Sequence, residues 1–560
     1  MTLHTPYTGD RYLTWDEIEA WLVDCPKALP QWARLEVVGL TDNDRPIYLL
    51  VIGKQDSHID QRPGFWLDGG THAAEWTSVM SALYSVSDWL SKLAAGDALE
   101  TAFFESHTAY VMPCISPDGY AAMMDGSPFI RSTLRPPPNA SVQVGFVPED
   151  LTGDKTVRWM RWKHPAGAFV IDQDNPFFMR PRTLDDPADA AYFFCQEGSF
   201  VNWDGHSWVR AHRQFGLDLN RNFPAHWAPF SMFGMDGGTY PLSAPESRAL
   251  VDTFARYPHI GAAVTNHTYT GCVLTQPYRK DTPLPRADIQ IMERIAKDAV
   301  RGTDYRVYKT YPDFTYDPDT SIVGVWADTI STTFGIPGYT LELWDPFGYA
   351  GIDHDKPAEF FSFPNPEMIA QVIKRFAERG DTTEPWAQIE HPQLGQVDVG
   401  GLDYMRTIRN PPVPLLEAEC KRGTLVADRV RRCLPRVEST LKVVRRGPSL
   451  YEIQLTLANL GFLSTSSLAH GVDLPSTPVV QAELTLPDTA GLVSGQPVRQ
   501  TTHLDGWGSF APGGVHSVYP SLPERGHQAR LSWLVDGDGT ISIAWIAGRG
   551  GRGQVTAHLG

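Results

Sequence analysis

The sequence predicts an α/β domain with a mixed central sheet and helices on both faces, followed by an antiparallel β-sandwich. In the first two thirds of the chain, apolar runs typical of strands alternate with segments of helical periodicity, as in a sheet covered on both sides. From about residue 440 the pattern changes to short alternating strands separated by turns, which is typical of a sandwich. At 560 residues the chain is too long for one ordinary core, so two or more domains are expected.

The expected helices and strands of the first part follow from local signals. Thr14 and Glu17 form a capping box at the start of a short amphipathic helix. Thr71 is a candidate N-cap for a helix over residues 74–94. The remaining helices are expected over residues 245–257, 286–301, a segment ending near 334, and 366–379. The strands are expected over residues 35–39, 46–52, 63–67, 109–113, 260–265 and 338–343.

The domain organisation follows from changes in composition. Residues 136–215 are rich in Pro, Asp, Gly and aromatic residues and have little periodicity, so we predict a subdomain inserted over the sheet. Within it, residues 150–154 lack the ligand density of a calcium loop and are predicted to form a surface turn. The predicted division is a first domain over residues 1–385, a connector over 386–439 that packs on both parts, and a β-sandwich over 440–560. The sandwich strands are expected over residues 441–444, 451–457, 479–486, 529–535 and 540–546.

The charge and hydropathy of the chain exclude two classes of partner. There are 48 basic and 65 acidic residues, so the net charge is −17. Such an acidic surface repels phosphate backbones, and nucleic acid is therefore not an expected partner. No apolar stretch approaches the length needed to span a bilayer, so no membrane association is expected. Composition leaves a homo-oligomer open.

The cysteines and the start of the sequence favour a cytoplasmic location. The six cysteines are widely scattered and form no CxxC pair, which fits reduced thiols better than a disulfide framework or a thiolate zinc site. The first residues lack a basic segment followed by an apolar core, so no signal peptide is expected.

The stretch around His72 and Glu75 is the strongest candidate for a metal site. The apolar run of residues 65–67 ends at Asp68 and a glycine turn, and an imidazole and a carboxylate follow, three residues apart, at the entry to a helix. Side chains at this spacing can converge on one point, and a histidine nitrogen with a carboxylate oxygen is a good ligand pair for zinc. A surface helix start with no metal is the alternative.

Three further segments carry candidate functional groups. The strand over residues 260–265 leads to His267, and in open α/β sheets sites form at this edge; a core histidine is the alternative. Residues 216–223 bring an acid, an amide and a guanidinium together, which suits carboxylate capture but also a loop salt bridge. Glu342 lies inside an apolar strand, where it is either a solvated residue or a buried general base.

Taken together, these segments resemble one family. The order is HxxE, SPDG with an arginine after it, DLNRNFP, a strand-borne His and a strand-borne Glu, and it resembles the zinc carboxypeptidases of the M14 family. The resemblance extends over about residues 12 to 380. It implies a mixed central sheet and one zinc ion per chain.

The resemblance also implies a role for each matched residue. His72, Glu75 and His267 would bind zinc, and Asp218 would orient the His72 ring. In the same way Glu342 would act as the base and later as the acid. The residues implied in substrate contacts are Asn220 and Arg221 for the terminal carboxylate and Arg131, with Arg135 as the near alternative, for the scissile carbonyl.

The sequence departs from the family pattern in several places. Ser116 stands where the longer NPDG motif has Asn, and Ala73 and Ala74 fill the interior of HxxE, where the family commonly has an arginine. Tyr316 is the best candidate for the mobile-loop tyrosine. Asp328 resembles the acid beside the specificity pocket.

The function implied is zinc-dependent hydrolysis of a C-terminal peptide bond, with release of the last residue. The expected substrate is a peptide or an amino-acid conjugate that has a free carboxylate. One alternative is a zinc amidohydrolase of the same fold that acts on acylated amino acids or cell-wall peptides. A second alternative is a non-catalytic binding protein.

Overall fold

The computed structural model describes residues 5–136, 142–232, 235–316, 321–353, 365–509 and 526–560. Its helices are α1 (Trp15–Ala28), α2 (Trp76–Ala94), α3 (Ala98–Ser106), α4 (Pro117–Met124), α5 (Pro245–Arg256), α6 (Arg286–Val300), α7 (Thr310–Asp313), α8 (Trp326–Phe334), α9 (Pro346–Tyr349), α10 (Pro366–Ala377) and α11 (Val413–Arg431). The predicted capping box of α1 is present, because Thr14 Oγ1 accepts from Glu17 N and Glu17 accepts from Thr14 N.

The strands fall into three groups along the chain. Those of the first group are β1 (Ala33–Leu40), β2 (Pro46–Ile52), β3 (Gly64–Asp68) and β4 (Thr108–Met112). The middle group comprises β5 (Gly145–Pro148), β6 (Trp159–Lys163), β7 (Phe169–Ile171), β8 (Met179–Pro181), β9 (Tyr192–Gln196), β10 (Gly198–Val201), β11 (Ser231–Met232), β12 (Met235–Asp236), β13 (Ile260–Thr268), β14 (Cys272–Thr275), β15 (Arg306–Lys309), β16 (Gly338–Leu343), β17 (Thr383–His391) and β18 (Gly395–Leu402). The last group is β19 (Val437–Arg445), β20 (Leu450–Asn459), β21 (Val480–Thr485), β22 (Ala490–Ser494), β23 (Val498–Thr501), β24 (Gln528–Gly537), β25 (Gly539–Ala547) and β26 (Arg552–Leu559).

The central sheet has eight strands in the order β1-β2-β4-β3-β13-β16-β14-β15. Strands β4, β3, β13 and β16 run parallel. The pairs β1–β2, β2–β4 and β16–β14 are antiparallel, and the edge pair β14–β15 is parallel. The mixed sheet predicted from the sequence is therefore confirmed. Because β3, β13 and β16 are parallel neighbours, their carboxyl ends meet at one edge, where ligands bind in open α/β sheets.

Helices cover both faces of this sheet, as predicted. Successive residues of a strand point to opposite faces. On β3, Phe65 and Leu67 pack in one core with side chains of α2, α6 and α11, and Trp66 packs in the other core with side chains of α5 and α8. Strands β3, β4 and β13 are buried along their whole length, which explains their continuous apolar sequences.

Helix α2 begins later than the sequence predicted. Glu75 occupies its N-cap position without a side-chain cap, and the prediction of Thr71 as the N-cap is wrong. Glu75 N donates to His72 O over 3.1 Å, so these residues form a separate turn ahead of the helix. His72 and Glu75 therefore converge through this turn and not through one helix face.

The inserted stretch and the predicted connector share a sheet. Six strands pair in the order β17-β18-β6-β9-β7-β8, and β18 of the connector pairs antiparallel with β6 of the insertion. Helix α11, also in the predicted connector, packs Val426, Ala427 and Val430 into the core beneath the central sheet. Residues 386–439 thus contribute to the six-stranded sheet and, through α11, to the helices that cover the central sheet. The predicted domain boundaries stay predictions.

The C-terminal region has the predicted antiparallel β-sandwich. Its two four-stranded sheets have the orders β19-β20-β24-β22 and β23-β21-β25-β26, and their facing side chains form one core. Strand β20 alternates strictly between buried and half-buried residues, as expected of a strand with one face on a core. Phe462, Leu463 and Leu468, which follow β20, pack into the core of the central sheet.

Glu246, at the start of α5, is predicted to make stability depend on pH. Burial raises the pKa of this carboxyl to about 7, and Asp42 and Asp118 add to the effect. Because the folded state holds the proton more tightly than the unfolded state, stability should fall as pH rises from about 4.5 to about 7, by up to about 3 kcal/mol. Glu246→Gln should therefore raise the melting temperature relative to the parent protein more at about pH 8 than at about pH 5. The exposed substitution Glu390→Gln is the control, and equal gains at both pH values would contradict the prediction.

Candidate active site

A glycine turn at the end of β3 creates the site. A Cβ atom on Gly69 would lie 2.5 Å from the Ser78 carbonyl oxygen, so no larger residue fits there. Gly70 has a φ of +66°, in the left-handed region that favours glycine. The chain can therefore turn sharply against α2, and His72 and Glu75 come to lie at the carboxyl edge of the sheet.

His72, Glu75 and His267 converge on one point. His72 Nδ1 lies 2.9 Å from Glu75 Oε1, and His267 Nδ1 lies 3.0 Å from Glu75 Oε2. The two Nδ1 atoms are 3.1 Å apart. All three side chains are buried, and their candidate ligand atoms lie within 4.8 Å of one another. The structure thus brings together three residues that are distant in the sequence.

The chemistry of these three groups fits a bound cation. His72 Nε2 lies 3.1 Å from Asp218 Oδ1, a carboxylate that can accept the Nε2 proton and so leave the Nδ1 lone pair for a metal. His72 Nδ1 faces the Glu75 carboxylate and His267 Nδ1, so candidate ligand atoms of three side chains surround one point. Two imidazoles with one carboxylate are a ligand set that zinc prefers.

Positive side chains surround the Glu75 carboxylate. Arg131 Nη1 lies 3.2 Å from Glu75 Oε1, and Arg131 Nε lies 3.2 Å from Asp218 Oδ2. Arg409 Nη1 lies 3.5 Å from Glu75 Oε1. Burial alone would raise the pKa of Glu75, but His72 and His267 hold it well below its usual range. Glu75 is therefore ionised and available to a metal.

Glu342 lies opposite His267 on the neighbouring parallel strand. The two residues are direct register partners of β13 and β16, and Glu342 lines the cavity that contains His72 and Glu75. Burial raises the pKa of Glu342 to about 7; His267 acts against this shift and Glu75 adds to it. A carboxyl group with a pKa near neutrality can both take and return a proton.

Arg221 and Tyr316 line the same cavity, while Asn220 is buried beside it. Arg221 Nη1 donates to the Asn220 carbonyl oxygen over 2.5 Å, and Asn220 Oδ1 accepts from Trp326 N over 2.9 Å. The Arg221 side chain is buried, and its Nε has no hydrogen-bond partner among the described residues. The guanidinium therefore has donors left for a ligand.

Asp328 and Arg135 do not line this cavity. The Asp328 carboxylate is buried and contacts His226 Nδ1 and Gln276 Nε2, each at 2.8 Å. Asp328 is not among the residues that line this cavity, and its predicted position beside a specificity pocket stays a prediction. Arg135 pairs with Asp42 over 2.9 Å at the surface, so Arg131 is the arginine that the structure places near Glu75.

The main cavity has a volume of about 700 Å³ and lies between the central sheet and the insertion. Its upper wall consists of aromatic side chains from the insertion, which we call the aromatic roof: Trp159, Trp162, Phe193, Phe194, Phe200 and Trp208. Several of these rings pack against one another: Trp162 stacks on Phe193 with centroids 5.2 Å apart, and Trp208 meets Phe193 edge-to-face at 4.9 Å. The sequence showed aromatic residues in this stretch but not that they face the site.

Arg409 is a site residue that the sequence reasoning missed. It is the last residue of a short π-helical segment after β18, and its guanidinium lies over the rings of Tyr269 and Phe129 at 5.0 and 5.5 Å. The next residue anchors it, because Asn410 Nδ2 donates to Ala74 O over 2.9 Å and Asn410 Oδ1 accepts from Thr77 N over 3.0 Å. No local motif signals this contact, since it joins segments far apart in the chain.

Comparisons with known proteins identify the family. Residues 18–350 match the zinc carboxypeptidase family, and residues 437–558 match a domain of unknown function. Carboxypeptidase B of Astacus astacus is 37% identical over 110 residues, which is 20% of this chain and 34% of that protein. Carboxypeptidase B of Bos taurus is 23% identical over 325 residues, or 57% of this chain and 58% of that protein. The crystal structure of thrombin activatable fibrinolysis inhibitor shares 19% identity over 67% of this chain and 76% of that chain, with a TM-score of 0.41.

The chain belongs to the zinc carboxypeptidase family, because the family match covers more than half of it. The resemblance inferred from the motifs is therefore confirmed, and so is the expected cofactor, zinc, for which the His72–Glu75–His267 cluster provides a site. The alignments span about a third to just over half of the length of these curated relatives. In the described part of the chain, no helix is both long and apolar enough to cross a bilayer.

Asp218→Asn should weaken zinc binding by about 10- to 100-fold, because the neutral amide no longer fixes the His72 tautomer through a charged hydrogen bond. Competition with a chromophoric chelator measures the dissociation constant directly and requires no enzymatic turnover. The exposed substitution Asp252→Asn, on α5, is the matched control and should leave the constant unchanged. Equal zinc affinity of the Asp218 variant and the parent protein would show that Asp218 does not support the metal site.

Proposed function

We propose that the protein is a metallocarboxypeptidase that hydrolyses the last peptide bond of substrates with a free carboxylate. Membership in the zinc carboxypeptidase family supports the hydrolysis of peptide bonds by a metallopeptidase. The observation that carries the finer proposal is one cavity that holds the His72–Glu75–His267 cluster, Glu342 and Arg221. A metal site, a general base and a carboxylate receptor are the parts that this reaction needs.

His72, Glu75 and His267 would hold the zinc ion, which when bound supplies Lewis-acid activation of a water molecule at neutral pH. Glu342 takes the proton of the attacking water, for which its raised pKa suits it, and returns this proton to the leaving amine. Both transfers occur at the carboxylate oxygens of one side chain, so no second acid is needed.

Two arginines have separate tasks in this proposal. Arg131, at the edge of the metal site, donates to the scissile carbonyl oxygen as negative charge develops there, and one such preorganised donor contributes about 3 kcal/mol. Arg221 binds the terminal carboxylate of the substrate through its free donors. Asn220 holds Arg221 in place through its backbone carbonyl.

A cytoplasmic location stays a prediction.

A peptide-library digest with the zinc-loaded protein, read by mass spectrometry, tests the function. We expect loss of the last residue from peptides with a free carboxylate and no cleavage of the same peptides when the carboxylate is amidated, because Arg221 then lacks its anion. Cleavage of blocked substrates at an equal rate would support the amidohydrolase alternative. Zinc binding without any cleavage would support the non-catalytic alternative.

Glu342→Gln should abolish turnover while zinc is retained. The amide has nearly the same shape but cannot accept the proton, so the turnover number should fall by about 10²–10⁴-fold. Zinc content from elemental analysis should match that of the parent protein, because Glu342 is not among the proposed ligands. Glu390→Gln serves as the charge-matched control. Undiminished hydrolysis in the Glu342 variant would reject it as the base.

Arg409→Gln should lower kcat/KM by about tenfold, because the cavity loses a cation that contacts Glu75 at the proposed metal site. The neighbouring Arg406, whose guanidinium pairs with Asp403 and lies over Trp76, is not among the cavity-lining residues and offers a matched control. Steady-state kinetics on one peptide would compare Arg409→Gln with Arg406→Gln. Equal activity of the two variants would remove Arg409 from the site.

A further inference from the structure

Arg210 and Arg213 lie at the rim of the main cavity without a counter-ion. Their segment is fixed by backbone hydrogen bonds to β5, from Phe146 N to Val209 O at 2.7 Å and from Ala211 N to Phe146 O at 2.9 Å. Among the described residues, neither guanidinium has an ion pair or a side-chain hydrogen bond to a carboxylate. Their charges are therefore free to meet a ligand.

The other arginines of the cavity already have protein contacts or a task in the proposed function. Arg131 and Arg409 contact the Glu75 carboxylate, and Arg221 donates to a backbone carbonyl. The arginines that line the main cavity are Arg131, Arg210, Arg213, Arg221 and Arg409, and the carboxylates are Glu75 and Glu342. The cavity of this acidic protein is thus rich in positive charge, and the excess lies at the insertion.

Arg213 shows the effect of its missing partner. Burial lowers the pKa of its guanidinium, and the like charges of Arg210 and Arg131 lower it further. The guanidinium carbon of Arg213 lies 5.5 Å from the centre of the Phe129 ring. The guanidinium carbon of Arg409, on the side of the metal site, also lies 5.5 Å from the centre of this ring. Phe129 therefore lies between Arg213 and Arg409, the arginine that contacts Glu75.

A side cavity of about 140 Å³ shows the direction in which a substrate would extend. It adjoins the main cavity, with which it shares lining residues that include Phe129, Phe146, Arg210 and Arg213. Arg221 and Tyr316, on the proposed carboxylate side, do not line this branch. In the proposed function the terminal carboxylate sits at Arg221, so the branch would receive the part of the substrate that precedes the cleaved bond.

We propose that Arg210 and Arg213 bind an anionic group of the substrate on the amino-terminal side of the scissile bond. The aromatic roof then binds an apolar residue that lies between this anionic group and the scissile bond. The substrate class is then an acidic peptide, or an acylated peptide with an acidic acyl group, that has an apolar or aromatic residue next to the bond. This inference rests on the proposed function for its direction along the substrate. Guanidinium groups pair strongly with carboxylates when water is partly excluded.

Matched substrates test this specificity. The first pair is acetyl-Glu-Phe-Leu and acetyl-Gln-Phe-Leu, which differ by one charge, and the second is succinyl-Phe-Leu and acetyl-Phe-Leu. The first pair examines a side-chain carboxylate and the second an acyl carboxylate. The zinc-loaded full chain should show a kcat/KM about tenfold higher for the anionic member of at least one pair.

The variants then assign the preference to the two arginines. In the double substitution Arg210→Gln with Arg213→Gln, the ratio within the preferred pair should fall to about one, with little change for the neutral member. Lys163→Gln removes an exposed positive charge from the same insertion outside the cavity, and it should keep the full ratio. A melting temperature equal to that of the parent protein would show that the double variant is folded.

The outcomes separate this inference from the proposed function. Equal kcat/KM within both pairs, or a preference that persists in the double variant, would overturn the role of Arg210 and Arg213. If no substrate is cleaved, the proposed function fails, and calorimetric binding of the same four compounds decides the inference. Tighter binding of the anionic compounds that is lost in the double variant would support the anionic site, and equal affinities would overturn it.

Discussion

The arrangement depends on one buried carboxylate, that of Glu75. It faces His72 and His267, accepts a hydrogen bond from Thr268 N over 3.1 Å, and lies within 3.2 Å of Arg131. An isolated buried carboxylate would cost several kcal/mol, so it persists only when charges and donors surround it. The groups that meet this requirement come from the turn after β3, from β13, from the segment before β5 and, through Arg409, from the region after β18. The groups that stabilise the buried charge of Glu75 thus come from parts of the chain that are far apart in the sequence.

The central sheet supplies the rigid support for this convergence. Asp68, at the end of β3, accepts from the indole nitrogens of Trp66 and Trp326 over 2.6 and 2.8 Å, and this fixes α8 against the strand that precedes the glycine turn. Parallel pairing of β13 with β16 sets Glu342 opposite His267. Backbone register therefore determines the spacing between the metal site and the proposed base.

Much of the fold and of the site could be predicted from the sequence. The apolar runs and the glycine turn are local signals, and HxxE and DLNRNFP place their functional groups within a few residues of one another. The convergence of His267 on His72 and Glu75 was predicted only through the family resemblance that the order of the motifs carries. Thr71 was misassigned because the pattern of a helix start does not distinguish a preceding turn from the first helical turn. Arg409, the aromatic roof and the pairing of β18 with β6 could not be predicted, because each is a long-range contact without a sequence signature. The contacts of Asp328 with His226 and Gln276 could not be predicted for the same reason.

The insertion determines the depth and the lining of the cleft. It turns the open edge of a sheet into a deep cavity with an aromatic wall, and it carries the two arginines that lack partners. The family motifs lie outside the insertion, so the proposed reaction chemistry and the carboxylate receptor Arg221 belong to the central domain, whereas the proposed anion site of Arg210 and Arg213 belongs to the insertion. The β-sandwich packs against the core of the central sheet through residues that follow β20 and contributes no residue to the main cavity among those described.

X-ray absorption spectroscopy of the zinc-loaded protein tests the central claim most directly, because it reports the metal ligands without reference to turnover. We expect nitrogen and oxygen ligands at about 2.0–2.2 Å, with the multiple-scattering signature of two imidazoles. In His267→Ala this signature should fall to that of one imidazole. Sulfur ligands at about 2.3 Å, or an imidazole signal that is unchanged in the variant, would contradict the account.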